Sequence, residues 1–249
     1  EDGIRPAIEL YQSLIEAHPN SGITFLNLAI ALTQIGDLDN ATLALERAVS
    51  LLPDVFDARI KYGQLLYAQN RIADSIPHFE RATQLQPTAA ESWAYLADAY
   101  LDTHQFEKAI VNYNKVTRLI PQDHTAYCGI GLAYQGKGDF RDSIMSFKLA
   151  MERSPDNAEI WHFMFKVYVE AGMQKEARIA AEKAIRYDRG NTSYLLDYAM
   201  FLKIERFDVT IWGPYVKEAL EIDPTLKVPE LLSELPIPGM PDLRFSDKE

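Results

Sequence analysis

Apolar and small residues recur along this chain at spacings of three and four, and a proline interrupts them at a fixed interval. Prolines stand at 19, 53, 87, 121 and 155, each 34 residues after the last; Arg189 fills the next slot and Pro224 closes a unit one residue longer. Six residues after each slot come Phe25, Arg59, Trp93, Tyr127, Trp161 and Leu195. Nine after stand Leu28, Tyr62, Leu96, Ile130, Met164 and Tyr198, and thirteen after stand Leu32, Leu66, Tyr100, Tyr134, Tyr168 and Leu202. The tenth place is small (Ala29, Gly63, Ala97, Gly131, Ala199) except at Phe165. Such offsets line one face of a helix.

A break follows in each unit, as in "IGDLD" at 35–39 and "GKGDF" at 136–140. A second helix then shows its own spacing, as in Ala41, Leu45 and Ala48 or Ala109, Tyr113 and Val116. Each unit therefore reads helix, turn, helix, with turns near 36, 70, 104, 138 and 172 and a proline that cannot continue the helix. Small residues let the paired helices approach and aromatics fill the space beside them. Periodicity of this kind means stacked helical units.

The pattern resembles the tetratricopeptide repeat, W-x2-L-G-x2-Y, then A-x3-F, then P. One unit reads Trp93-x2-Leu96-Ala97-x2-Tyr100, Ala109-x3-Tyr113, Pro121; the next reads Tyr127-x2-Ile130-Gly131-x2-Tyr134, Ser143-x3-Phe147, Pro155. Arg59, Phe165 and Arg189 depart from it. The resemblance implies an all-α, right-handed α-solenoid over 1–224, with a half repeat at 1–21 and repeats starting near 22, 56, 90, 124, 158 and 192. Residues 225–235 are expected to form a short capping helix and 236–249 a proline-containing tail. The helix at 4–18 has an apolar side (Ile4, Ala7, Ile8, Tyr11, Leu14, Ile15) expected to lack full cover, which would allow homo-oligomers through the N-terminal half repeat.

Net charge is −11, which disfavours nucleic acid and anionic lipid as partners. One cysteine excludes an internal disulfide, and the five histidines form no His-x-x-x-His pair, so neither metal nor cofactor is expected. The chain opens "EDGIRPAIEL", so further upstream residues are expected; a cytoplasmic location is the expectation, with a removed signal or anchor as the alternative. "GLAYQGKGD" at 131–139 lacks the Gly-Lys-Ser/Thr core of a phosphate loop, and Cys128 with His124 lacks a third orienting group. The chain is not expected to be an enzyme.

In the family that the chain resembles, first helices line a concave groove for a partner segment. Carried over by position, the lining residues are Gln64, Tyr67, Glu91, Asp98, Asp102, Cys128, Gln135, His162, Lys166 and Glu170. Asp98 and Asp102 share a helix face where like charges do not help the helix. With Tyr67 and Gln64 beside them they suit a Lys or Arg of a basic segment, and neither is expected to be needed for packing. Some relatives grip the C-terminal carboxylate of chaperones with basic residues; Asn27 and Lys61 fit that clamp by position, but Asp57 has the wrong sign, so this mode is not expected. The expected function is a non-enzymatic adaptor or assembly scaffold that binds protein or peptide. The alternative is a regulatory or substrate-recruiting region of a larger enzyme whose catalytic part lies upstream.

Overall fold

The computed structural model describes residues 3–233 and Ile237. The described chain is all-α, an α-solenoid of helix pairs without strands. In chain order the helices are α1 (Ile4–Ala17), α2 (Gly22–Gln34), α3 (Leu38–Leu51), α4 (Phe56–Ala68), α5 (Ile72–Leu85), α6 (Ala90–Asp102) and α7 (Phe106–Leu119). There follow α8 (His124–Lys137), α9 (Phe140–Arg153), α10 (Ala158–Glu170), α11 (Gln174–Tyr187), α12 (Thr192–Ile204), α13 (Val209–Ile222) and α14 (Glu230–Ser233). Contacts divide the chain into two compact units, residues 1–138 and 139–249.

Local chemistry explains why every pair turns where it does. Gly36, Asn70, His104, Gly138, Gly172 and Arg206 stand 34 apart and all have φ between 57° and 79°. A left-handed residue after the first helix lets the next N–H bond back to a carbonyl five residues earlier, as Asp37 N does to Leu32 O at 3.0 Å and Met173 N to Tyr168 O at 2.8 Å. The second helix ends on the residue before the proline slot: Leu52, Gln86, Ile120 and Ser154 cap α3, α5, α7 and α9 in non-helical conformations.

The proline carbonyl then anchors the next first helix. Trp93 Nε1 donates to Pro87 O at 2.9 Å and Trp161 Nε1 to Pro155 O at 3.3 Å. Arg59 departs from the aromatic pattern yet makes the same bond, with Nε donating to Pro53 O at 2.9 Å. Packing within a pair uses the small tenth position. A Cβ placed at Gly63 would lie 2.5 Å from Phe79 Cε1, so this close approach requires glycine.

Unit 1 holds two clusters of buried apolar residues, one spanning α1 to α4 and the other α4 to α8. The apolar side of α1 is mostly used: Ile8 is buried, and Ile4, Tyr11 and Ile15 pack on the first cluster. Leu10 and Leu14 stay exposed. In unit 2, Trp212 and Val216 of α13 are buried, so that helix reaches the core although Pro214 stands within it. Leu232 of α14 is buried, and the Lys203 ammonium of α12 donates to the Leu231 carbonyl. Ile237 covers Gly213 on α13, with its Cγ2 3.0 Å from where a glycine Cβ would stand. The rest of the expected tail, and residues 234 and 235 of the expected cap, lie outside the described residues.

Candidate functional site

In unit 1 the first helices α4, α6 and α8 lie side by side. Gln64 of α4 donates through Nε2 to Glu91 Oε1 of α6 at 2.9 Å, and Lys61 donates to Gln64 Oε1 at 3.2 Å. One turn on, the Tyr67 hydroxyl donates to Asp102. Asp98, one turn before Asp102, accepts from the Tyr113 hydroxyl of α7 at 2.5 Å. The structure thus gathers Gln64, Tyr67, Glu91, Asp98 and Asp102. The expectation that neither aspartate matters for packing does not hold for Asp98, because it satisfies the hydroxyl of the buried Tyr113.

The electrostatics around Asp98 are one-signed, while Lys61 sits at the Gln64 end of the cluster. Burial pushes the Asp98 carboxyl up, Asp102 and Asp123 push it further, and only the Tyr113 hydroxyl works against them. Burial likewise raises the Tyr67 and Tyr113 phenols, helped by the carboxylates that accept from them. Every charged group acting on Asp98 is another carboxylate. Cys128 of α8 is buried, which removes it from the lining, while Gln135 is half-buried on the same helix.

Unit 2 is built differently. His162 of α10 is buried; its ring stacks on Tyr194 at 4.4 Å between centroids, and Nε2 meets Asp197 Oδ2 of α12 at 3.2 Å. Lys166 Nζ lies 3.8 Å from the same carboxylate. Burial alone would raise the Asp197 carboxyl, but His162 and Lys166 together hold it below its ordinary value. Lys166 and Glu170 also border a cleft of about 280 Å³ between α10 and α12. Asp197, Tyr194 and Tyr113 were not expected at the site. The signal for Asp197 was its slot, filled by Asn27, Lys61, Tyr95, Gly129 and Phe163 in the other units. Among the described residues no group of His, Cys, Asp or Glu could hold a metal ion, and no helix is long and apolar enough to cross a membrane.

Models of the tetratricopeptide repeat match residues 4–58, 78–111 and 124–157, and a further TPR-repeat model matches 97–138. The TPR repeat-containing protein YpiA of Bacillus subtilis is 25% identical over 221 residues, covering 88% of this chain and 52% of YpiA. The human aspartyl/asparaginyl beta-hydroxylase is 33% identical over 81 residues, 32% of this chain and 11% of that protein. The chain therefore spans only about half of one curated relative and a tenth of the other. The crystal structure of YrrB, described as a TPR protein with an unusual peptide-binding site, covers 80% of this chain and all of its own, with a TM-score of 0.65 at 18% identity. Proteins built from these repeats generally mediate protein–protein interaction and assembly. The 34-residue spacing, the helix pairs it produces and the matching repeat models agree: the chain belongs to the tetratricopeptide-repeat family.

Proposed function

We propose that the chain is a non-enzymatic adaptor or assembly scaffold whose first helices in unit 1 hold a segment of a partner protein. A Lys or Arg of that segment sits against Asp98 and Asp102. One observation carries the reading: two carboxylates stand on successive turns of α6, each already given a phenolic hydroxyl, and Asp98 is acted on by further carboxylates. A guanidinium or ammonium would form charge-assisted hydrogen bonds there and relieve the like-charge pair. The peptide-binding description of YrrB supports the class of partner.

Affinity purification with the full-length protein, followed by mass spectrometry, supplies the partner; Asp102→Asn then tests the contact. Asp102 is exposed and leaves Tyr113 satisfied, so the variant should fold normally and bind about tenfold more weakly, or about 1.4 kcal/mol. Unchanged affinity would remove the acidic cluster from the mechanism.

The matched stretch of the human hydroxylase favours a second reading, in which these repeats regulate or recruit substrate for a larger enzyme. A catalytic domain in the same full-length reading frame decides for it. Self-association through α1 is supported by the exposed Leu10 and Leu14. Sedimentation of a Leu10→Glu, Leu14→Glu variant against the parent chain tests it, since a species lost in the variant must form through that face.

A further inference from the structure

Five of the six helices that follow a first helix in these pairs open on a large apolar residue: Leu38, Ile72, Phe106, Phe140 and Val209. The exception is Gln174 of α11. In unit 1 the reason for the apolar residue is visible. The Phe106 ring lies over Gly136 at the end of α8, where a Cβ would stand 2.4 Å from the ring. The residues 68 positions on, in unit 2, are Gln174 and Ile204. Where Phe106 plugs the space in unit 1, an amide stands in unit 2, and where Gly136 accepts the ring, Ile204 is 63% exposed.

Both departures line one cleft, the opening of about 280 Å³ between α10 and α12. Its other apolar walls are Phe165, Val169, Met200 and Phe201, with Phe165 and Phe201 meeting edge to face at 5.6 Å. The slot of Ile204 holds Gln34, Ala68, Asp102, Gly136 and Glu170 in the other units, so an exposed isoleucine there runs against the pattern. The polar rim carries Glu170, Asp197 and Lys166, with Asp197 engaged by His162 and Lys166, and the exposed Glu205 adds a further carboxylate. An unfilled apolar cleft forfeits contacts that a plug such as Phe106 would make.

We infer that this cleft is a binding site for one large apolar side chain, best an aromatic, carried by a partner segment with a Lys or Arg next to it. The apolar walls take the ring and the exposed Glu205 carboxylate at the rim takes the cation. The inference extends the reading that first helices hold a partner segment, but it uses none of the residues around Asp98 and Asp102.

Methionine-methyl NMR on the whole chain tests it with a defined probe, N-acetyl-Phe-Arg-amide. The Met200 methyl should shift and saturate at about 1–10 mM, a range suited to so small a ligand. Met145, exposed on α9 away from the cleft lining, should stay still. N-acetyl-Phe-Glu-amide should bind at least about fivefold more weakly, and N-acetyl-Ala-Arg-amide should leave Met200 unmoved. Gln174→Phe should close the cleft as Phe106 does in unit 1, abolishing the shift while the circular dichroism spectrum is kept. Should that variant not fold, Ile204→Gln, which removes an apolar wall at an exposed position, should weaken the shift instead. A silent Met200 in the parent chain, an equal response to the acidic probe, or an undiminished response in the folded variants would overturn the inference. Asp102→Asn leaves this assay untouched, so the two sites fail independently.

Discussion

The ring of Tyr113 in α7 occupies the space that Gly129 of α8 leaves empty: a Cβ at Gly129 would lie 2.2 Å from Tyr113 Cζ. Elsewhere the same two repeat positions are filled differently. Phe79 stacks on Tyr95 at 5.3 Å, and Phe147 stacks on Phe163 at 5.6 Å. A phenylalanine thus meets an aromatic ring, whereas the tyrosine meets a glycine and passes on to Asp98. Gly129→Ala should cost about 1–3 kcal/mol through overpacking. Tyr113→Phe strands the half-buried Asp98 and should cost about 1–3 kcal/mol. The double variant Tyr113→Phe, Gly129→Tyr rebuilds the Phe79–Tyr95 arrangement and should lose less than the sum of Tyr113→Phe and Gly129→Tyr alone. Urea denaturation of all three variants decides, and strict additivity would refute the exchange.

The helix pairs and their turns were legible because their causes are local. The periodic prolines follow the ends of the second helices, although Pro77 and Pro214 stand inside α5 and α13, and spacings of three and four select a face without reference to the rest of the chain. The site was legible in part. Gln64, Tyr67, Asp98 and Asp102 meet because first helices lie side by side. What periodicity could not place was the hydroxyl of Tyr113, which reaches Asp98 from the second helix of the same pair. Cys128 and His162 belong to the margin of the face, where a small rotation of the helix decides between lining and core, and both are buried.

Arg206 carries a left-handed backbone, φ 63°, at a position where Gly36, Gly138 and Gly172 hold glycine in other pairs. The left-handed conformation costs a side-chain-bearing residue about 1–2 kcal/mol, and glycine gives back about 0.5–1 kcal/mol in chain entropy. Arg206→Gly should therefore stabilise unit 2 by about 0.5–1 kcal/mol. Gly172→Ala should destabilise it by a similar amount. Thermal midpoints moving the opposite way would contradict this account of the turn.

Arg59 substitutes for tryptophan by reproducing one hydrogen bond, Nε to Pro53 O. Arg59→Ala should lose about 0.5–1.5 kcal/mol, while Arg59→Trp should recover most of it. The substitution also has an electrostatic readout. His78 is pushed down to about 4, first by burial and then by the Arg59 guanidinium. Removing that cation in Arg59→Trp should raise the His78 titration midpoint in a proton NMR titration. A midpoint that does not rise would leave burial as the sole cause.

Asp98 and Asp197 should give the two units opposite pH dependences. Burial raises the folded pKa of Asp98 above its ordinary 3.8, so over that interval the folded chain binds more protons than the unfolded one. Its contribution is fully present below pH 3.8 and is lost as pH rises through the raised value. Asp197 is the reverse: His162 and Lys166 hold its carboxyl below 3.8 despite burial, so its contribution is present above 3.8 and is lost as pH falls through the lowered value. Asn at either position keeps a hydrogen-bond acceptor and cannot ionise. Asp98→Asn should match or exceed the parent in stability at pH 7 and lose that advantage near pH 3. Asp197→Asn should be less stable at pH 7, with the deficit shrinking on acidification. Denaturation midpoints between pH 3 and 7 separate the two; parallel curves for both variants would show that the carboxylates do not sit in the opposed environments described.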